Sequence, residues 1–439
     1  MQQMKIAQHA SQQTKFHHPT IPPKSLKPPP RRGNIVLVIP NTPAGGMALE
    51  HLAHSADKDL GCTYVGTLTD VLRDYGVVNA TYASDLKYIF VVLETQEGDE
   101  ISAINRILRF HCFHGKLTWP HGDVEGAEIN STLTLYKQPA NTIGLPFVLR
   151  SPLSMHDTYL QLLKVNNAYQ QSVRGQSINV SVVDSGSDGI VSAQFLDIYD
   201  VNNSTPVDHV GHGTAMASII KDIAPDAVVS AIRIADTSPS LIATMAGVCK
   251  ALYDQHADII NLSLGFSSLN SRCQACGKSA DARSYVFEKL LWANVNLDPQ
   301  TPFRAPLFVT ATGNDGNSTF NQPASYETGF AVGAISSHMT RSSFSNYGNQ
   351  HNHFLVMPGG DYDQGKQTNV EWSGEGPNNK CLGTSAAAAY ASGMLALYKS
   401  DPRHKTQSRS KFMDAMINNC QQLPSHSLAE HGSGYLPFK

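Results

Sequence analysis

Ile178-Asn179-Val180-Ser181-Val182-Val183-Asp184-Ser185-Gly186 is an apolar run that stops on a carboxylate and a glycine. Its β-branched residues favour an extended chain, and its nearly unbroken hydrophobicity predicts a strand covered on both faces. The chain around it alternates in the same way. Residues 155–172, 212–222, 239–255 and 282–294 have helical periodicity, and residues 228–234, 258–263 and 307–311 read as further strands. Strands that alternate with helices build a parallel sheet with helices on both sides. The expected fold is therefore α/β, a doubly wound, mostly parallel sheet. Chemistry in such sheets gathers beyond the carboxyl ends of the strands. Asp184, Ser263 and Asn314 all fall there.

Three reactive residue types then occur in the order Asp, His, Ser. Val183-Asp184-Ser185-Gly186 puts a carboxylate at a strand end. Gly211-His212-Gly213-Thr214 puts an imidazole at a helix head, between glycines that permit close backbone approach. Leu382-Gly383-Thr384-Ser385 leads into Ala386-Ala387-Ala388-Ala389, a run of the best helix formers. Alone, Ser385 reads as an N-cap. With a base nearby it reads as a nucleophile, because a hydroxyl attacks only once its proton is taken. A neutral imidazole near its ordinary pKa of about 6.5 can take that proton, and a buried carboxylate can orient the ring. Ala311-Thr312-Gly313-Asn314 supplies an amide at a strand end, a donor for an oxyanion.

These motifs, together with Asn261-Leu262-Ser263-Leu264-Gly265, Phe344-Ser345-Asn346-Tyr347-Gly348 and Met357-Pro358-Gly359, resemble the subtilisin-like serine proteases, the subtilases of peptidase family S8. The likeness runs over about residues 154–435. It implies a serine endopeptidase that hydrolyses peptide bonds through an acyl-enzyme, with protein or peptide substrates and no cofactor. By motif, Asp184 is the orienting acid, His212 the base, Ser385 the nucleophile and Asn314 the oxyanion donor. Ser263, Leu264 and Gly265 resemble the strand that binds the substrate backbone. Ala311, Thr312 and Gly313 resemble the other wall of the specificity pocket. The family usually has Met after the nucleophile and Pro four residues after it, where this chain has Ala386 and Ala389. The helix after His212 runs unbroken toward Pro225, so the calcium loop of secreted bacterial subtilisins is expected to be missing, and no metal is expected. The resemblance also implies that the Gln322-Pro323 bond is a candidate for the cis form. A G-x-S-x-G elbow is absent around Ser385, which argues against an esterase of the α/β-hydrolase type. A decayed, purely binding member of the family would ordinarily have lost one of the triad residues.

The front of the chain has a different pattern. Residues 1–33 are polar and then Pro-rich, as in Pro28-Pro29-Pro30, and read as disordered or extended. Residues 34–138 read as β-α-β-β-α-β, a small α+β, ferredoxin-like unit. Its strands are expected at 35–39, 77–82, 86–93 and 130–136 and its helices at 48–75, with a break allowed near Gly61, and at 100–110. Residues 139–153 read as a linker and 154–439 as the catalytic unit. Many subtilases carry such a prodomain ahead of the catalytic domain, which implies intramolecular inhibition by 34–138 and self-cleavage between about 137 and 155. The alternative is a permanently attached regulatory or partner-binding domain.

With 33 basic and 36 acidic residues among 439, the charge balance offers no electrostatic case for nucleic acid or a membrane surface. Residues 1–20 lack the apolar core of a signal peptide, so the expected address is cytoplasmic, the alternative being export by a route not visible in the sequence. Seven cysteines are an odd number and are scattered, which does not suggest a disulfide framework. Cys273-Gln-Ala-Cys276 remains open between half a metal site, a local disulfide and plain loop cysteines. His209, His351 and His353 read as surface residues.

Overall fold

Five apolar residues in a row form strand β1 (Ile35–Pro40), and neighbours in a strand point to opposite faces. Ile35, Leu37 and Ile39 pack with Ala48 and Leu52 of helix α1 (Pro43–Asp59), while Val36 and Val38 join a second cluster on the other side. The computed structural model describes residues 35–59, 62–96, 99–100, 102–103, 117–119, 122–124, 126–129, 134–135, 155–187, 196–197, 208–236, 238–265, 285–297, 304–348, 351–362, 370–371 and 381–439. After α1 come β2 (Thr63–Thr67), α2 (Leu68–Asp74), β3 (Tyr88–Glu94), β4 (Leu117–Trp119), β5 (Gly122–Val124) and β6 (Gly126–Ile129). Four of these make an antiparallel sheet in the order β2-β3-β1-β6.

Three expectations for this segment need correction. The helical pattern over 48–75 does break where a break is allowed, but the interruption is strand β2, and helix α2 restarts only after Thr67, whose N–H and hydroxyl both donate to Asp70 Oδ2, at 3.0 and 2.8 Å. Residues 77–82 form no strand, because the N–H groups of Val78 and Asn79 donate to the Asp254 carboxylate, both at 3.0 Å, instead of to a neighbouring strand. The last sheet strand is β6, ahead of the expected 130–136; of that stretch only β7 (Thr134–Leu135) is described. Most of the helix expected over 100–110, residues 1–33 and the 139–153 linker lie outside the described residues.

The second part follows the predicted alternation. Helices α3 (Met155–Leu162) and α4 (Val165–Gln170) replace one expected helix, divided where Lys164 adopts φ 56°. Then come β8 (Asn179–Asp184), β9 (Leu196–Asp197), α5 (His212–Ile223), β10 (Val228–Arg233), α6 (Leu241–Tyr253), β11 (Ile259–Leu262), β12 (Leu264–Gly265), α7 (Tyr285–Val295) and β13 (Leu307–Ala311). The chain closes with β14 (Gly329–Ile335), β15 (Phe354–Pro358), the pair β16 (Asp361–Tyr362) and β17 (Val370–Glu371), α8 (Thr384–Ser400), α9 (Arg409–Asn419) and α10 (Leu428–His431). Seven strands form one sheet in the order β15-β14-β13-β11-β8-β10-β9, every neighbouring pair parallel.

Alternate strand residues feed two cores. Val180, Val182, Val309 and Ala311 pack with α5 and α8; Val183, Ile260, Leu262 and Phe308 pack with α6 and α7. This is the doubly wound α/β fold expected from the sequence. The second core continues outward into Val36, Val38, Phe90 and Val92, so the N-terminal sheet sits on the outer surface of α6 and α7. Lys289 Nζ donates to Tyr88 OH at 2.9 Å across that contact. No described helix is long and apolar enough to cross a membrane.

Candidate active site

Parallel strands deliver their carboxyl ends to one edge of a sheet. Here the ends of the adjacent strands β8, β11 and β13 bring Asp184, Ser263 and the 311–314 segment side by side. Asp184 is fully buried, and its Oδ1 accepts from the Ser185 N–H and from His212 Nδ1, each at 2.7 Å. A carboxylate can only accept, so Nδ1 carries the proton and Nε2 is left as the basic nitrogen. His212 opens α5 directly after Gly211, whose φ of 82° suits glycine. Gly213 is equally constrained by space: a Cβ there would lie 2.2 Å from the Gly186 carbonyl oxygen.

Ser385 stands in the first turn of α8 with 2% of its surface exposed. Its hydroxyl lies 3.4 Å from the Ser263 carbonyl, and Ser263 Oγ in turn donates to the Ser385 carbonyl at 3.2 Å and to Asn261 Oδ1 at 3.0 Å. Asn261 Nδ2 donates to Ser392 Oγ, 3.1 Å away and two turns along α8. Helix α8 and the strand end at Ser263 are thus tied by buried polar groups at two levels. Buried and paired in this way, such groups specify one register.

Asn314 is oriented by the residue before Ser385. Its Oδ1 accepts from the Thr384 N–H at 2.9 Å and the Thr384 hydroxyl at 2.8 Å, and the same hydroxyl accepts from the Gly313 N–H at 3.2 Å. With two donors on the oxygen, the amide nitrogen must point the other way. Asn314 Nδ2 is buried and has no hydrogen-bond partner among the described residues. A buried donor left without an acceptor costs stability, about 1–3 kcal/mol, so Nδ2 is a donor that a bound acceptor would satisfy. It lies beside Gly383, where φ is 140° and a Cβ would come within 3.0 Å of Nδ2.

Of the wall residues, Leu264 and Gly265 form β12, whose partner is β7 in antiparallel register, Leu264 opposite Leu135 and Gly265 opposite Thr134. Across the cleft, Thr312 is held by β14, its N–H donating to the Val332 carbonyl at 3.1 Å. Gly313 has φ 113°, and the amides of Asn321 and Asn346 occupy the space a side chain would need.

Three contributors carry no reactive signature in the sequence: Thr384, the Asn261–Ser392 tie, and the pair Ser185–Asp208 below His212. Their neighbours in the chain are motif residues, but their roles depend on distances between elements. His351 is a correction. It is buried, not at the surface, with Nε2 2.7 Å from the Tyr326 carbonyl and Nδ1 accepting from the His353 N–H at 3.0 Å. His209 is exposed. The Gln322-Pro323 bond is cis. Helix α5 is unbroken over its 12 residues. No group of three His, Cys, Asp or Glu side chains suited to a metal occurs among the described residues. Cys62, Cys249, Cys381 and Cys420 form no disulfide among the described residues, and burial pushes the Cys420 thiol up to about 12. Cys273 and Cys276 lie outside the described residues.

Residues 175–434 match the sequence family described as the Subtilase family. Among similar proteins, the "Thermophilic serine proteinase" of Bacillus sp. (strain AK1) is 26% identical over 305 residues, 64% of this chain and 67% of that protein. "Thermitase" of Thermoactinomyces vulgaris is 34% identical over 159 residues, 34% of this chain and 49% of its own length. "Subtilisin Savinase" of Lederbergia lenta is 26% identical over 283 residues, 61% of this chain and 91% of its own length. The chain spans about half of thermitase and about two thirds of the thermophilic proteinase.

Proposed function

Because the chain belongs to the subtilase family, we propose that it is a serine-type endopeptidase that cuts protein or peptide substrates through an acyl-enzyme. Ser385 Oγ attacks the scissile carbonyl carbon while His212 Nε2 takes its proton. Asp184 keeps the ring in the Nδ1–H tautomer and stabilises the imidazolium. The carbonyl oxygen becomes an oxyanion and accepts from Asn314 Nδ2 and the Ser385 N–H at the positive end of α8. Collapse of the tetrahedral species expels the amine, which receives the proton from His212. Water, activated by the same base, then releases the acid and restores Ser385. The observation that carries this reading is the buried, partnerless Nδ2 of Asn314 aimed away from Thr384 at the head of the nucleophile's helix. A fluorophosphonate is expected to label the protein at Ser385 and not to label Ser385→Ala. A folded protein that resists labelling after its N-terminal segment has been removed would sink the proposal.

We also propose that residues 34–138 form an inhibitory, prodomain-like or regulatory unit, with 139–153 the linker and 154–439 the peptidase domain. The pairing of Thr134–Leu135 with Leu264–Gly265 supports this, since an antiparallel strand on β12 takes the edge that a substrate backbone would use. Self-cleavage between about 137 and 155 would release it; a retained regulator would stay covalently attached. Intact mass of wild type against Ser385→Ala separates the two. Two products from wild type and one from the variant favour self-processing, and a single full-length species from both favours the retained regulator.

A further inference from the structure

Asp208 is a buried carboxylate that the mechanism above does not use. Its Oδ1 accepts from Ser185 Oγ at 2.8 Å, the Gly211 N–H at 2.8 Å and the Val210 N–H at 3.1 Å. Its Oδ2 accepts from the Thr214 N–H at 2.8 Å and the Thr214 hydroxyl at 2.7 Å. Five donors therefore converge on one side chain that is 7% exposed. Four of them flank His212, from Val210, Gly211 and Thr214, and the fifth is the Ser185 hydroxyl. Ser185 extends the arrangement: its hydroxyl accepts from the Gly213 N–H at 2.9 Å, and its own N–H donates to Asp184 Oδ1 at 2.7 Å.

We infer that Asp208 is a positioning residue for the catalytic base, holding the turn that carries His212 in fixed relation to Asp184 through Ser185. The inference rests on the proposed role of His212. Each described group that faces it donates to it, and both of its oxygens are engaged. Asparagine has the same size but turns an NH2 group toward one set of those donors. The turn must then shift, and the 2.7 Å contact between His212 Nδ1 and Asp184 shifts with it. Displacement of a reacting group by about 1 Å costs on the order of a hundredfold in rate.

The test is steady-state hydrolysis of one peptide substrate by the full chain and its variants. Asp208→Asn is expected to lower kcat by about a hundredfold with KM within about threefold of wild type. Ser185→Ala should move kcat in the same direction, and Ser185→Thr, which restores the hydroxyl, should recover it. Should Asp208→Asn fail to fold by circular dichroism, the two Ser185 variants decide, since they leave the carboxylate in place. Wild-type kcat in a folded Asp208→Asn, or in Ser185→Ala, overturns the inference, as does a change confined to KM. Ser385→Ala keeps the two readings apart. Hydrolysis by that variant sinks the proposed function itself, whereas an inactive Ser385→Ala beside a fully active Asp208→Asn sinks only the positioning role.

Discussion

Single residues at this site act through the atoms they leave available. Thr384 donates twice to Asn314 Oδ1, which turns Nδ2 the other way. Asn314→Ala removes that donor and is expected to lower kcat by 10²–10³, about 2.7–4 kcal/mol, a magnitude known from the oxyanion asparagine of a subtilisin itself. Steady-state kinetics with KM held near the wild-type value would check it. His351 acts on stability instead. Burial holds its ring below the ordinary value of 6.5, and both ring nitrogens are engaged in the neutral form. The unfolded chain therefore binds this proton more readily than the folded one. The stabilisation is complete above about pH 6.5 and is lost as pH falls toward the depressed folded value. His351→Gln keeps a donor and an acceptor without titrating, so its Tm should fall less steeply than wild type between pH 6.5 and 5. Thermal melts at a series of pH values would show this, and parallel slopes would count against it.

Elements position these residues by what they lack. Helix α8 is buried from Thr384 to Tyr398, and its first turns can sit in a crowded interior because Ala386 to Ala389 need little room. Ala389 also keeps an N–H, the group that bonds the Ser385 carbonyl four residues back in a helix, where the family's usual proline has none. Helix α5 starts under tighter limits. Gly213→Ala would drive a Cβ into the Gly186 carbonyl oxygen at 2.2 Å and against the Asp184 side chain at 3.2 Å. Backbone cannot yield as a flexible side chain does. The expected outcome is a stability loss of about 1–3 kcal/mol, read from the Tm, with activity reduced at least a hundredfold as His212 leaves Asp184.

At the scale of the whole molecule, one core is shared between the N-terminal sheet and helices α6 and α7. Its polar margin is concentrated on Asp254, which accepts from Val78 and Asn79 and pairs with Lys250 Nζ at 3.4 Å. Asp254→Ala leaves these donors without their carboxylate and should loosen the docking by about 1–3 kcal/mol. If the docked sheet inhibits, the uncut variant should hydrolyse a peptide faster than uncut wild type. A lower Tm with unchanged activity would show docking without inhibition. The comparison is cleanest in the early time course, before any cut chain accumulates.

Short apolar runs and period-3.6 patterns identified nearly every strand and helix from residue 155 to residue 311, because the sheet is buried on both faces and each helix on one, and each sequence has to supply that surface. Asp184, His212, Asn314 and Ser385 were legible for a related reason: each sits in a short glycine-containing motif at the end of an element. The N-terminal segment was less legible. Its 77–82 stretch looks like a strand, yet its N–H groups answer to Asp254, 175 and 176 residues away. Strand β14 went unread, since small residues such as Gly329, Ala331, Gly333 and Ala334 carry a weak signal. Local composition determined the fold class and the reactive residue types by itself. Tertiary structure alone decided the direction of the Asn314 amide, the pairing of residues 134–135 with 264–265, and the five donors on Asp208. Those depend on contacts between groups far apart in the chain or on either side of a turn, and hydrogen-bond geometry leaves no periodic trace in sequence.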